Sequence, residues 1–467
     1  SSGNSNTAVG HNAGLAVTSG RQNTIVGYEA LKTSAANGDN NTAIGYKALE
    51  DMDASSDGTG DNTAIGSNAC LNLTTGITNT ALGSTAMGIG VTTGAANVAV
   101  GYYAGADIAA GANNVLVGKE AGANIVGGAQ NICIGSSAGS TITAGNELVL
   151  IGYQAGDVID SDTADGTVAI GWNAAGALTS GAYNTVIGSS AGLENKLGEA
   201  NIAIGYGAFN DSYTNDTTDA ANDDNIFIGV NTGGGTWTAA SSSTVYSCSK
   251  NVGIGSNAMA AAMSGALYNT ALGYNTHNGL TTGDYNTVLG STAGYVLSSG
   301  TKNTVCGSYA LSTSTDVDNA VAIGYNAMQA GDVTDAADGT VAIGYEALKA
   351  LTSGSGNLAI GLSALAAQTD GVRNIAIGSN SLASADASED DNIAIGFEAM
   401  AGLNHDDAHD NIAIGSYAGD AMGGFANADN IFIGKNAGGG TWANAASLKN
   451  IAIGTEAMDG ALNEALN

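Results

Sequence analysis

One nine-residue phrase governs this chain. It reads NTAIGYKAL at 41–49 and returns as NTAVGHNAG (6–14), NTAIGSNAC (62–70), NTVIGSSAG (184–192), NIAIGYGAF (201–209) and NIAIGTEAM (450–458). Aligned on its turn glycine, the phrase occurs 25 times between Gly10 and Gly454, at spacings of 17 to 26 residues. A unit with a hard minimum length and elastic excess marks a solenoid, where each copy is one coil and the surplus loops out. Length alone would suggest two or three globular domains. The repeat replaces that expectation with an all-β fold, a parallel β-solenoid of about 25 coils. It reads as a single continuous rod over 1–467, with longer insertions near 206–225, 230–250 and 435–449.

Number the turn glycine zero. Position −1 is Val, Ile or Leu in 24 copies, with Cys306 the exception, and position −3 is Thr, Val, Ile or Leu throughout. Side chains alternate along a strand, so these two share one face and position −2, most often Ala, faces the other way. The strand is apolar on both faces and has to be covered twice. One face packs inside its own coil. No segment is spare to cover the other, so copies of the same chain are expected there, with the small alanines letting sheets approach closely. A homo-oligomer follows from the pattern; its number does not. The threonine column Thr7, Thr24, Thr42, Thr63 and Thr80 is then placed on a buried face, which counts against an ice-binding role.

Position +3 is Ala in 22 copies, with Thr232, Thr276 and Ser381 in the others, and predicts a second short strand with a small inward residue. Position +1 alternates loosely between Tyr and Ser, as an outward site would. Position −4 is Asn in 21 copies, the exceptions being Leu148, Thr167, Ala320 and Thr340. Asn tolerates turns and can stack its amides from coil to coil. Two strands and two turns per coil would give a rod roughly 115 Å long.

Composition agrees. Pro is absent and Gly numbers 71, which fits a chain whose backbone N–H groups are all needed in ladders and excludes proline-rich disorder. Asp and Glu outnumber Lys and Arg by 42 to 11, for a net charge of −31. The acids cluster between phrases and read as solvated edges that keep a rod from sticking. There is no basic patch to serve nucleic acid, and no apolar run of about 18 residues to span a membrane. The chain opens at Ser1 without a signal-peptide pattern and reads as a trimmed product. Neither SSGNS (1–5) nor DGALNEALN (459–467) reads as a full cap, and the spacing in the latter hints at the start of a helix. Cys70, Cys133, Cys248 and Cys306 read as small buried hydrophobes. Cys133 and Cys306 lie nine coils apart, about 40 Å at the strand spacing, too far for a disulfide.

The wording of NTAIGYKAL (41–49), NTALGSTAM (79–87) and NIAIGSNSL (374–382) resembles the head repeats of trimeric autotransporter adhesins (YadA-like heads). It looks still more like the longer repeats of bacteriophage tail fibres and appendages. The resemblance covers essentially the whole chain. It implies a left-handed parallel β-roll, a homotrimeric fibre, and an extracellular place on a virion or a bacterial surface, with host-surface adhesion as the task. No stalk, membrane-anchor barrel or chaperone domain accompanies the repeats. A chaperone removed after folding would leave such a C-terminus, which favours the phage fibre over the bacterial adhesin head. A self-assembling filament without a receptor is the third reading.

Candidate sites are few. NIFIGVNTGGGTW (225–237) and NIFIGKNAGGGTW (430–442) are near-copies, and ADGTVAIG occurs at both 164–171 and 337–344, which points to duplicated multi-coil blocks. Trp237 and Trp442 follow three glycines, outside the coil register. With Tyr213 and Tyr246 they are candidate stacking platforms for a host-surface glycan; the plainer alternative is that each Trp folds back over its loop or a chain–chain seam. HDDAH (405–409) pairs two histidines beside aspartates but lacks a third firm ligand. DASSDG (53–58) begins like a calcium loop, yet its twelfth position is Ala64. No metal centre or other cofactor is expected, the acidic loops being the only place for calcium. The four histidines are scattered and the GGG loops lack a GK[ST] ending, so no enzyme is expected.

Overall fold

In the computed structural model, the described residues are 3–33, 38–52, 60–159, 162–194, 196, 198–210, 222–235, 248–329, 333–386, 388–440 and 446–460. Trp237, Trp442, Tyr213, Tyr246, the DASSDG loop and the C-terminal ALNEALN all lie outside them. The chain divides into two compact units, Ser1–Val230 and Asn231–Asn467. Among the described residues the first carries thirteen strands, β1 (Thr7–Val9) to β13 (Ile226–Ile228), and the second twelve, β14 (Val252–Ile254) to β25 (Ile451–Ile453). Every strand is three residues long and is the −3 to −1 segment of one phrase. Within each unit successive strands pair in parallel and without register slip: Thr7 lies beside Thr24, Thr24 beside Thr42, and in the second unit Ile375 beside Ile393 and Ile393 beside Ile412. Neighbouring phrases therefore lie one over the next, as the repeat requires.

The turn glycine cannot be anything else. Gly45 has φ 143°, a region that side chains rarely enter, and a Cβ on it would collide with the carbonyl of Gly66 in the next coil. The same overlap recurs up each column of turn glycines, because the backbone there stacks on itself.

The asparagines at −4 form the ladder expected of them. Asn79 accepts the backbone N–H of Asn97 at 2.9 Å and its side-chain amide at 3.1 Å; Asn97 then accepts the N–H of Asn114 at 3.0 Å. Ladder asparagines also donate into the following loop, as Asn97 does to the Gly111 carbonyl at 2.9 Å, while the buried Asn41 amide nitrogen has no partner among the described residues. These amides are buried, so the ladder satisfies backbone groups that water does not reach. It breaks in the same way in both units. Leu148 and Thr167 interrupt it in the first, Ala320 and Thr340 in the second, and ahead of Thr167 and Thr340 lie 3₁₀ turns, Asp162–Ala164 and Asp335–Ala337. The two ADGTVAIG blocks are thus alike in backbone as well as wording.

The strand faces are the reverse of the expectation. The −2 alanines, such as Ala43, Ala169 and Ala413, are fully buried inside the coil, whereas the residues at −3 and −1 look outward and are half-buried or exposed. Leu272 keeps 47% of its surface and Ile134 37%. The threonine column is therefore outward too, exposed at Thr7 and Thr24 and half-buried at Thr42, Thr63 and Thr80. The reason is space. A coil of about 17 residues encloses a narrow core, and small side chains at −2 and +3 are what fit in it.

The second strand is also absent among the described residues. After the turn glycine the chain runs through turns whose +2 and +4 residues are left-handed, for example Glu29 at φ 54° and Leu31 at φ 46°. Alternating hand lets successive N–H groups point along the stack in opposite directions: Glu29 donates back to the His11 carbonyl at 2.9 Å, and Leu31 forward to that of Ala48 at 2.9 Å. Coil-to-coil bonding persists without a strand.

Bulk in this core is traded between positions. Where −2 is large, +4 is commonly glycine: a Cβ on Gly122 would stand 2.6 Å from Leu116 Cδ2, and one on Gly438 2.7 Å from the Phe432 ring. Leu116 also reaches into the coil before, where a Cβ on Gly105 would stand 2.7 Å from its Cδ1. Where −2 is alanine, +4 more often supplies the bulk, as with Leu49, Met87 and Leu348, all fully buried. Interiors tolerate such exchanges when volume is conserved.

Candidate interaction surfaces

Three kinds of outward column run along each unit. The first is the pair at −3 and −1, aliphatic or threonine in every described strand except at Cys306. Cys306 belongs to it and is half-buried, while Cys70 and Cys133 are enclosed, their thiols pushed up to about 12 by burial.

The second is aromatic. At +1 in the first unit, His11, Tyr28 and Tyr46 stack with ring centroids 5.2 and 5.4 Å apart and planes within 9°. In the second unit Tyr325 and Tyr345 do the same at 5.5 Å. Rings so stacked show solvent their edges and hydroxyls rather than their faces.

The third lies at −5, where the backbone is again left-handed. It is mostly polar or acidic, but in the second unit four successive coils place Lys250, Tyr268, Tyr285 and Lys302 there. Tyr268 and Tyr285 stack at 4.9 Å with planes 5° apart. The Lys250 ammonium sits 5.1 Å from the Tyr268 ring centroid and 3.2 Å from its hydroxyl. All four side chains are exposed.

Charge elsewhere is tied into the fold. Lys32 and Lys47 lie among Glu29 and Glu50 in a four-member network at 2.9 to 3.6 Å. The Lys32 ammonium beside Glu29 holds that carboxyl below its usual range. Arg373 grips Asp391 with two hydrogen bonds of 2.6 Å. Many of the loop acids are braces rather than solvated edges: Asp39, Asp284, Asp318 and Asp390, each six residues before a turn glycine, accept the backbone N–H of Arg21, Leu267, Thr301 and Val372 in the coil before. Counting register from the glycine would have found both this brace and the lysine–tyrosine column.

Trp237, Trp442, Tyr213 and Tyr246, the glycan platforms, lie outside the described residues. In HDDAH the histidines part company: His405 Nδ1 accepts the Asp407 N–H at 3.1 Å, while His409 Nδ1 pairs with Asp410 at 2.9 Å. Among the described residues no three His, Cys, Asp or Glu side chains gather as metal ligands. A surface hollow of about 320 Å³ is lined by Tyr417, Asp420, Lys435, Asn436, Gly439 and Asp459. No described helix is long and apolar enough to cross a membrane. No family model matches the chain, and no curated protein does either.

Proposed function

We propose that this chain is an extracellular attachment fibre that works as an assembly of its own copies, three being the favoured number, and that a bacteriophage tail fibre or appendage is its setting. One observation carries the reading. Among the described strands each turns its −3 and −1 side chains outward, and all of these are aliphatic or threonine except Cys306, in columns along each unit. A regular apolar surface of this extent marks an interaction site, and in-register parallel strands give sister chains a matching set of ridges. The acidic balance keeps the remaining surface from indiscriminate contact. The wording shared with fibre and adhesin-head repeats supports the same conclusion. No catalytic constellation competes with it among the described residues.

Two measurements test it. Light scattering coupled to size exclusion should return a multiple of the chain mass, and three times is expected. Adsorption of the assembled particle to bacterial cells tests attachment. A particle of one chain's mass would end the assembly, and failure to adsorb to any candidate host would end the adhesive role.

A further inference from the structure

Charge is spread very unevenly along this chain. Between Asp224 and Asp316 only three charged residues occur, Lys250, Asp284 and Lys302, in a chain whose net charge is −31. Asp284 lies partly buried, with its carboxylate engaged by the Leu267 N–H at 2.7 Å. The two lysines are exposed, and both fall in the −5 column around the stacked pair Tyr268 and Tyr285. Lys302 makes no salt bridge among the described residues, so no carboxylate among them neutralises it.

We propose that Lys250, Tyr268, Tyr285 and Lys302 form a contact strip for a linear acidic polysaccharide. The strip presents ammonium, phenol, phenol and ammonium in a straight row, one donor group per coil, at the strand spacing of about 4.8 Å. Successive residues of an extended polysaccharide offer acceptors at a comparable repeat, and carboxylates at intervals meet the terminal lysines. The stacked rings hold their hydroxyls in line at little entropic cost, since each ring braces its neighbour. Charge selects this stretch over others. Beyond a screening length of about 8 Å the acids of distant coils no longer repel a bound anion, and the two carboxylates beside the strip, Asp284 and Asp318, are both engaged by backbone N–H groups, those of Leu267 and Thr301. This deepens the attachment reading and rests on it for its biological meaning.

The experiment uses the whole chain and two pairs of polymers: polygalacturonate and its fully methyl-esterified form, and alginate and its propylene glycol ester. Binding is followed by interferometry on the immobilised polymer. The chain is expected to bind at least one of the free acids, more weakly as salt rises, and to ignore the esters. The double variant Lys250→Gln/Lys302→Gln should bind about tenfold more weakly, the sum of two exposed charge pairs. Tyr268→Phe/Tyr285→Phe, which keeps the stack and removes its donors, should lose a smaller factor, and Lys119→Gln should lose nothing. Circular dichroism and particle mass confirm that each variant folds and assembles. Equal binding to acid and ester, an unaffected lysine double variant, or no binding to either acid overturns the strip. Cell adsorption is scored on the same proteins. Adsorption that survives loss of both lysines removes the strip and leaves the attachment reading, whereas polyuronate binding without cell adsorption does the opposite.

Discussion

Asn79 Oδ1 holds two donors of Asn97 at once, the backbone N–H at 2.9 Å and the side-chain amide at 3.1 Å, both out of reach of water. Removing the Asn97 amide in an Asn97→Ala variant strands the Asn114 N–H and the Gly111 carbonyl. Each orphaned buried group costs about 1–3 kcal/mol, so a loss of about 2–4 kcal/mol is expected. Hydrogen exchange should report it first, as faster exchange at Asn114. An unchanged exchange rate there would mean that the ladder contributes nothing.

Gly45→Ala should be at least as damaging. The residue is held at φ 143° and the added methyl meets the Gly66 backbone. Strain of this kind costs about 1–3 kcal/mol before the collision is relieved. Limited proteolysis of the first unit is the simplest assay, with cleavage expected in coils that resist in the parent. Gly460→Ala, where nothing lies within 4 Å of the new methyl, is the neutral control.

Two neighbouring positions separate folding from assembly. Ala394 is fully buried in the coil, and Ile395 faces out and is half-buried. Ala394→Asp puts a charge into the core and should abolish folding of its coils. Ile395→Asp, combined with Ile377→Asp, should leave the circular dichroism spectrum intact while reducing particle mass to that of one chain. If both variants behaved alike, the outward columns would not be the surface on which copies meet.

That pair of residues also shows how far the sequence could be read. The coil, its turn glycine and its asparagine ladder were legible because each is forced by backbone geometry, which leaves one residue type at one position. The choice of face was not legible. Ile395 looks like core and Ala394 like filler, and only the narrowness of the enclosed space reverses them. The second strand was misread for a related cause: Glu29 and Leu31 take left-handed conformations that nothing in their chemistry announces, since φ there is imposed by stacking. Of the candidate site, Trp237 and Trp442 drew notice by being large and out of register. Lys250 and Lys302 needed the opposite habit, counting register for unobtrusive residues.

His277 predicts an acid-sensitive segment. It occupies a +4 position otherwise given to apolar residues or glycine, is fully buried, and has no hydrogen-bond partner at either ring nitrogen. Burial lowers its pKa from 6.5 to about 3, so the unfolded chain takes up a proton before the folded one does. Stability should fall as pH drops below about 6.5, by about 3 kcal/mol at pH 4. His277→Leu should remove that dependence and raise the melting temperature slightly at neutral pH. Parallel melting curves against pH for the two proteins, with no widening gap, would refute it.

Thiol chemistry gives an independent view of the outward face. Cys70 and Cys133 should resist iodoacetamide in the native protein, being enclosed and held protonated. Cys306, half-buried in the aliphatic column, should react in the dissociated chain and be protected in the assembled particle. Mass spectrometry of labelled peptides distinguishes them; reaction of Cys306 at equal rates in both states would count against burial of that column.

The exchange of bulk between Leu116 and Gly105 has a consequence for how such a chain can change over time. Because a side chain from one rung fills the hollow left by the rung beside it, a single rung is not a transferable part. Deleting, copying or transplanting one would leave a void on one side or a clash on the other. Stretches of several rungs, whose internal fit travels with them, are the smallest pieces that can be passed on intact.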